Sequence, residues 1–454
     1  MEEVFSALGR LFLHPLTYIA AAAVFWFHLQ RVKRERKAFH TRVYDAADGL
    51  LSPLSAALAA GLLLSAAILL LGLELPAAVI PFMTVVWLLQ VPFKHARWYS
   101  MTVTFALLLT VVPFLPASGS GWAWLDTQLE ALQTVSLPSL GAFLLLLAAA
   151  EAMLISIDGY RQPSPDLKKS SRGKLVGMHR PQRLWILPAA VLLPAGGWEA
   201  GAWWPLLDWH SPSFGLLLLP VVLGFQLAAQ ARYPAEACRR AGGRMLGAVL
   251  ILALLFIAVL VYLPEWLFLL GPAVLLVREV LFLSLERADS HHTSLFTVRE
   301  KGLAVVHVLP KSTAAKMELT TGDIIMKVNG RDVATQREFY EALQISPAFA
   351  KLEVIDTEGE KRLTQASIYE NDHYLIGCLF IPDDEGMTLS LKGMRSASVV
   401  HQDREELRRA EEKQKEAREE KEAYDEGRAY GQAAGMQDYV QNRKQREKDR
   451  YTKK

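Results

Sequence analysis

The sequence predicts a multi-span α-helical membrane protein that continues into a small α+β domain and ends in a charged tail, helical or disordered. Three observations predict it. Residues 11–283 are mostly long apolar runs dominated by Leu and Ala. Lys and Arg fall in alternate loops between those runs, as a membrane topology requires. From Ser284 the texture turns mixed, and from Asp383 it is mostly charged. The boundaries that follow are 1–284 for the membrane region, 291–382 for the small domain and 383–454 for the tail.

A span needs about 20 mostly apolar residues. About nine candidates meet this: Leu11–Leu29, Pro53–Leu73, Ala77–Phe93, Met101–Pro116, Leu140–Ile157, Leu184–Trp204, Ser213–Ala229, Met245–Leu263 and Trp266–Leu283. The sixth is the weakest, broken by Pro188, Pro194, Gly196, Gly197 and Glu199. The last two meet at Pro264-Glu265 and should form a helical hairpin. Only Arg10 precedes the first run, and a basic block follows it, which is the pattern of a retained anchor rather than a cleaved signal.

Orientation follows from the loops. Arg31, Lys33, Arg34, Arg36, Lys37 and Arg42 follow the first run, and Lys94 and Arg97 the third. Arg161, Lys168, Lys169, Arg172, Lys174, Arg180 and Arg183 follow the fifth, and Arg232, Arg239, Arg240 and Arg244 the seventh. The loops after the even-numbered runs hold no Lys or Arg. Positive charge marks the inner side, so the N-terminus is expected outside and the C-terminal half in the cytoplasm. Trp122, Trp124, Trp204 and Trp209 fall at outer ends, as interfacial anchors do.

The net charge of +2 gives no global basic field for nucleic acid. The two cysteines, Cys238 and Cys378, define no disulfide framework and read as free thiols. Ionisable residues inside spans ask for a functional reason. Here they are Glu151, Arg278 and Glu279, open to two readings: a proton or ion path, or a buried or snorkelling charge pair.

The small domain has a legible order. GLAVVHVLP (302–310) is β-rich. KSTAAKMEL (311–319) is a short helical turn. GDIIMKVNG (322–330) is a strand closed by an Asn-Gly turn. REFYEALQ (337–344) is an amphipathic helix with Phe339, Ala342 and Leu343 on one side. KLEVIDTEGEKRLTQASI (351–368) is a hairpin turning at Thr357-Glu358-Gly359.

Within that order, Pro310, Ser312, Ala314, Ala315, Leu319, Gly322, Asp323, Ile324, Ile325, Val328, Asn329 and Gly330 resemble the bacterial PDZ family. Lys311, Thr313 and Glu318 depart from it, at loop and helix-surface positions. The resemblance implies that Ala315 and Leu319 pack the core, and that a peptide adds as a strand to a sheet edge beside the 337–344 helix. Phe339 and Leu343 would line that groove, or simply pack the core. Two segments could supply the loop that captures a terminal carboxylate. Ser294, Leu295, Phe296 and Thr297 fit the usual chain order, whereas Leu375, Ile376, Gly377, Cys378 and Leu379 fit the residue pattern and include the glycine.

Catalytic signatures are missing. There is no His-Glu-x-x-His, no Gly-x-Ser-x-Gly inside a span and no phosphate loop. A non-enzymatic protein without cofactor or metal is expected. The segment 401–454 has opposite charges three and four apart but no sustained apolar heptad positions.

As a whole the chain resembles the MinJ family of division-site selection proteins of Gram-positive rods. The residues that carry this are HPLTY (14–18), KRERKAFHTRVYD (33–45) and the 302–380 region with EFYEALQ and DHYLIG. The tail is a departure. The resemblance implies a scaffold at poles and septa, with DivIVA-like and MinD-like cytoplasmic partners. Two other classes stay open: a membrane protease or protease adaptor, and a transporter regulated by its PDZ domain, which rests on Glu151.

Overall fold

The computed structural model describes residues 9, 11–93, 95–117, 119–170, 173–199, 201, 204–206, 213–369, 375–382, 441, 444 and 445. Residues 1–385 form one compact unit, and residues 386–454 a second. Of the second only 441, 444 and 445 are described, and all three are helical. The expected tail therefore lies almost wholly outside the described residues, as does Trp209.

The membrane-type region is a helical bundle. Its helices are α1 (Pro15–Phe39), the short α2 (Ala46–Leu51), α3 (Leu54–Leu71), α4 (Val79–Gln90), α5 (Met101–Val111), α6 (Ala123–Gln133) and α7 (Leu137–Ile157). After an intervening β segment come α8 (Pro234–Tyr262) and α9 (Leu270–His291). Among the described residues four helices are long and apolar enough to cross a membrane: Ala47–Leu71, Leu137–Ile157, Pro234–Tyr262 and Pro264–His291. Val79–Gln90 and Met101–Phe114 are shorter apolar helices in the third and fourth expected spans. Helix α1 joins an apolar half to the charged Arg31–Lys37 segment. Leu62, Leu63, Leu250, Ile251, Leu254 and Leu276 are exposed on the bundle's outside, the surface lipid would cover.

Helical spans expected at 184–204 and 213–229 are instead two long strands, β3 (Gln182–Glu199) and β4 (Ser213–Gln226), paired antiparallel. The prolines explain the difference. Pro188, Pro194 and Pro220 would each break a helix interior, yet sheet edges accept them. Pro188 lies opposite Pro220 in the register, so at that pair neither strand presents an unpaired N–H. The remaining edge groups must be satisfied, because an open sheet edge is costly away from water. Ala190 N donates to Ser65 Oγ of α3 at 2.9 Å, and Leu192 O accepts from Leu75 N at 2.8 Å. On the other edge Gly224 O accepts from Arg278 Nη2 at 3.3 Å. Gly61 lets α3 approach so closely that an added Cβ would lie 2.7 Å from Pro188 O.

The intramembrane charges form a pair. Arg278 donates to Glu151 Oε1 through Nε and Nη2, at 3.0 and 2.6 Å. Ser100 and Thr102 hydroxyls donate to Glu151 Oε2 at 2.6 and 2.7 Å. Arg278 also reaches Arg97 O and Glu279 Oε1, at 2.8 and 3.0 Å. Both carboxylate oxygens of Glu151 are thus engaged, and the residue is fully buried. Of the two readings of Glu151, this geometry is the charge pair.

At the basic end of the bundle stands a three-stranded sheet ordered β1-β2-β5. It comprises β1 (Ser164–Lys169), β2 (Leu175–Arg180) and β5 (Phe296–Thr297). The C-terminal module follows β5. A sheet ordered β11-β10-β8-β6 contains β6 (Leu303–Ala304), β8 (Ile324–Val328), β10 (Phe349–Ile355) and β11 (Lys361–Ser367). Strand β9 (Arg331–Asp332) pairs with β8, and β12 (Cys378–Leu379) pairs with β7 (His307–Val308). Two helices complete it, α10 (Thr313–Lys316) and α11 (Gln336–Gln344). Each element sits where its residues dictate. Thr335 and Glu338 form a capping box that starts α11. Asn329 and Gly330 take positive φ between β8 and β9, and Gly359 does so between β10 and β11.

Candidate functional site

The module core is Leu303, Val305, Ala314, Leu319, Ile325, Val328, Phe339, Ala342, Leu343, Leu352, Val354, Leu375, Ile376, Cys378 and Phe380, with a few neighbours. Leu319 is in this core as expected. Ala315 is not: it is exposed, and Ala314 is the buried one. A four-residue helical turn points one of two adjacent alanines inward, and pattern alone picked the wrong one. Asp323 fixes the turn before β8, accepting from Thr320 N and Oγ1 at 2.9 and 2.8 Å and from Arg362 at 3.1 Å.

Helix α11 and the segment after Leu375 face each other across this core. The Phe339 and Phe380 rings meet edge to face with centroids 4.9 Å apart. Asn329 ties the helix in place, donating to Ala342 O at 3.0 Å while accepting from Lys351 N at 2.9 Å. The 375–378 loop is tightly turned. Ile376 and Gly377 have φ of 48° and 94°, and Cys378 N bonds back to Leu375 O at 2.9 Å. Ile376 O accepts from Ala314 N, and Gly377 O from Leu309 N, both at 2.8 Å. A Cβ on Gly377 would overlap the Ser312 side chain, so this glycine is required by space as well as by φ. Cys378 is buried, and burial first, then the Asp323 carboxylate, pushes its thiol pKa up. It is a core residue, not a reactive thiol.

The other loop segment is built differently. Phe296 and Thr297 pair with Gly177 and Val176 of β2. Leu295 N donates to Gln230 O at 2.9 Å, and Ser294 Oγ to Gly177 O at 2.9 Å. Its polar groups are therefore committed to the sheet at the bundle's basic end, whereas the 375–378 loop belongs to the module.

A feature with no sequence signal joins the two parts. Phe39, Val43, Phe296, Val306, Leu379 and Ile381 form a separate buried cluster. The side chains of β12 and its continuation thus split two ways: Cys378 and Phe380 enter the module core, while Leu379 and Ile381 pack on the membrane-type region. Tyr44 OH shares a hydrogen bond with His307 Nε2 at 3.1 Å. The His307 and His179 rings lie 5.7 Å apart, and His179 packs edge-on against Phe296 at 5.0 Å. Burial lowers His179 to about 4. It lowers His307 well below the usual imidazole value, with His179 and then Arg31 adding to the effect. Burial likewise pushes the Tyr44 phenol up to about 12. Nothing in the local sequence around Tyr44, His179 or His307 marks this joint, since contacts across more than a hundred positions leave no local pattern.

Among the described residues no group of three or more His, Cys, Asp or Glu is placed to hold a metal ion. The arrangement is that of an apolar helical platform carrying a small α+β module. Comparison with known proteins gives the particular family. The chain is 34% identical over 395 residues to the cell division topological determinant MinJ of Bacillus subtilis, covering 84% of this chain and 96% of that protein. It is 30% identical over 88 residues to probable cell division topological determinants MinJ of Lacticaseibacillus paracasei and Lacticaseibacillus casei, covering 19% of this chain and 24% of each. No protein-family model matches the chain. The chain belongs to the MinJ family.

Proposed function

We propose that the chain is a membrane scaffold that helps select the cell-division site and presents a PDZ-type module to the cytoplasm. The observation that carries this reading is the 34% identity to a cell division topological determinant across 96% of that protein. The intramembrane pairing of Glu151 with Arg278 supports a scaffold over a transporter, because the one candidate carboxylate is held by a guanidinium and two hydroxyls.

On this reading the peptide groove runs between α11 and β12 with its continuation to Ile381. The 375–378 loop supplies the carboxylate-capturing amides, and Ser294–Thr297 does not. The strand's other edge is held by β7, so a peptide would extend the sheet on the side facing Phe339 and Leu343. The bundle's basic end faces the cytoplasm, because Lys and Arg concentrate there. The two strands β3 and β4 leave and return together, so replacing two helices by a hairpin does not change that parity. Partners of the DivIVA-like and MinD-like kind would be gathered by the module at poles and septa. A fluorescent fusion of the full chain in its parent cell tests this. Enrichment at septa and poles is expected, and a uniform membrane signal from a functional fusion rules the scaffold reading out.

A further inference from the structure

The sequence around the basic end is far more cationic than the chain as a whole. Segments 31–45 and 162–182 together hold eleven Lys and Arg against three Asp and Glu, in a chain whose net charge is +2. The fold brings these two segments together. Ser164 Oγ donates to Glu35 Oε1 at 2.7 Å, and Leu167 and Leu175 of the β1–β2 hairpin pack against the Phe39–Val43 cluster. The last turn of α1 and the hairpin tip therefore form one surface.

The three carboxylates nearby are spent internally. Glu35 is buried and holds Arg31 at 2.8 Å. Asp166 holds Arg180 at 2.8 Å, and Asp45 holds Arg42 at 2.8 Å. Six exposed cations remain: Lys33, Arg36 and Lys37 on α1, and Lys168, Lys169 and Lys174 at the tip. Among the described residues none of the six has a carboxylate within ion-pair distance. Like charges are held side by side at some cost, and the described residues supply no counter-charge.

Distance decides which polyanion fits. The last large exposed apolar residues on α1 are Phe25 and Trp26. Phe39 lies thirteen residues along the helix from Trp26, roughly 20 Å at 1.5 Å per residue, with Arg36 and Lys37 at roughly 15 Å. Strand β1 runs beside this helix and carries the lysines at its far end. Lipid charges are screened within about 8 Å at physiological ionic strength, so the tip lies beyond the effective reach of headgroups.

We propose that the cationic surface made by Arg36, Lys37, Lys168, Lys169 and Lys174 is a docking site for an acidic, Asp/Glu-rich segment of a protein partner. This rests on the reading that the basic end faces the cytoplasm. It adds a second partner surface, separate from the module groove.

The test uses the full chain in phosphatidylcholine nanodiscs, with a labelled, C-terminally amidated Glu-rich peptide as probe, so that a terminal carboxylate cannot enter the groove. Fluorescence anisotropy is read at low and physiological salt. Binding is expected to weaken with salt and to fall at least about tenfold in Lys168→Glu/Lys169→Glu/Lys174→Glu. It should fall to a smaller degree in the corresponding triple alanine variant, which guards against a folding artefact. Lys301→Glu/Arg331→Glu/Lys351→Glu makes the same charge change on the module and should stay within about twofold. Equal losses in the two charge-reversal variants, or undiminished binding by the tip variant, overturn the proposal. Phosphatidylglycerol discs add the lipid arm: if that lipid displaces the peptide from the wild-type chain, the surface is a lipid site and the proposal fails. Cysteine labelling in intact cells checks the orientation separately, so its failure is distinguishable.

Discussion

Glu151 shows how one residue's environment settles its role. A carboxylate in an apolar helix reads as a proton carrier or as half of a pair. Here both oxygens are occupied by Arg278, Ser100 and Thr102. Removing one member of a buried pair leaves the other charge uncompensated, which costs on the order of 3–5 kcal/mol. Glu151→Gln is accordingly expected to lower the thermal midpoint in nanodiscs sharply, and Glu151→Leu/Arg278→Met to lower it less. A Glu151→Gln chain that unfolds normally but loses an ion flux would restore the transporter reading. The buried histidines make a second residue-scale prediction. His179 and His307 bind fewer protons when folded than when unfolded, because their folded pKa values lie below 6.5. The contribution of His179 to stability is complete above pH 6.5 and declines as pH falls from there toward about 4, and that of His307 declines in the same direction. Hydrogen exchange at 294–297 and 378–381 should therefore speed up between pH 7.5 and 5. In His179→Phe that acceleration should shrink, and an unchanged pH response in the variant would contradict the assignment.

At the scale of elements, the β3–β4 hairpin depends on having its edges satisfied. Ser65→Ala removes the acceptor for Ala190 N and is expected to cost about 1–3 kcal/mol, read as a lower unfolding midpoint. No change would mean that water reaches this edge. The hairpin is also where sequence reading stopped short. Apolar composition fits a buried strand and a buried helix segment equally. Pro188 and Pro194 are a signal against the helix that the sequence alone reads there as merely weakened, and Pro220 adds to it in the partner strand. The elements of the C-terminal module were easier to see because their punctuation is local. Asn329-Gly330, Gly359 and the Thr335–Glu338 cap each mark a boundary within a few residues. The choice between Ala314 and Ala315 depended on one helical turn's rotation, which four residues do not define. The joint through Tyr44, His179, His307 and Leu379 was illegible, because it exists only once distant segments meet.

At the scale of the molecule, the membrane-type region and the module share a buried cluster, so the module is seated rather than tethered. The segment 378–381, which begins with β12, belongs to both: Cys378 and Phe380 pack the module core, and Leu379 and Ile381 the seat. A ligand adding to that strand would press on the joint, and a loosened joint would disturb the groove. Leu379→Lys is therefore expected to weaken peptide binding without touching the groove face, and full affinity in that variant would show the two to be independent. The most direct measurement of the central claim follows a MinD-like partner by fluorescence in cells carrying the full chain with Gly377→Val, which strains the loop and overlaps Ser312. The expected result is a chain still enriched at septa while the partner disperses, as it should when residues 302–381 are deleted. A partner that still gathers at septa in both cases would contradict the claim that this module recruits it.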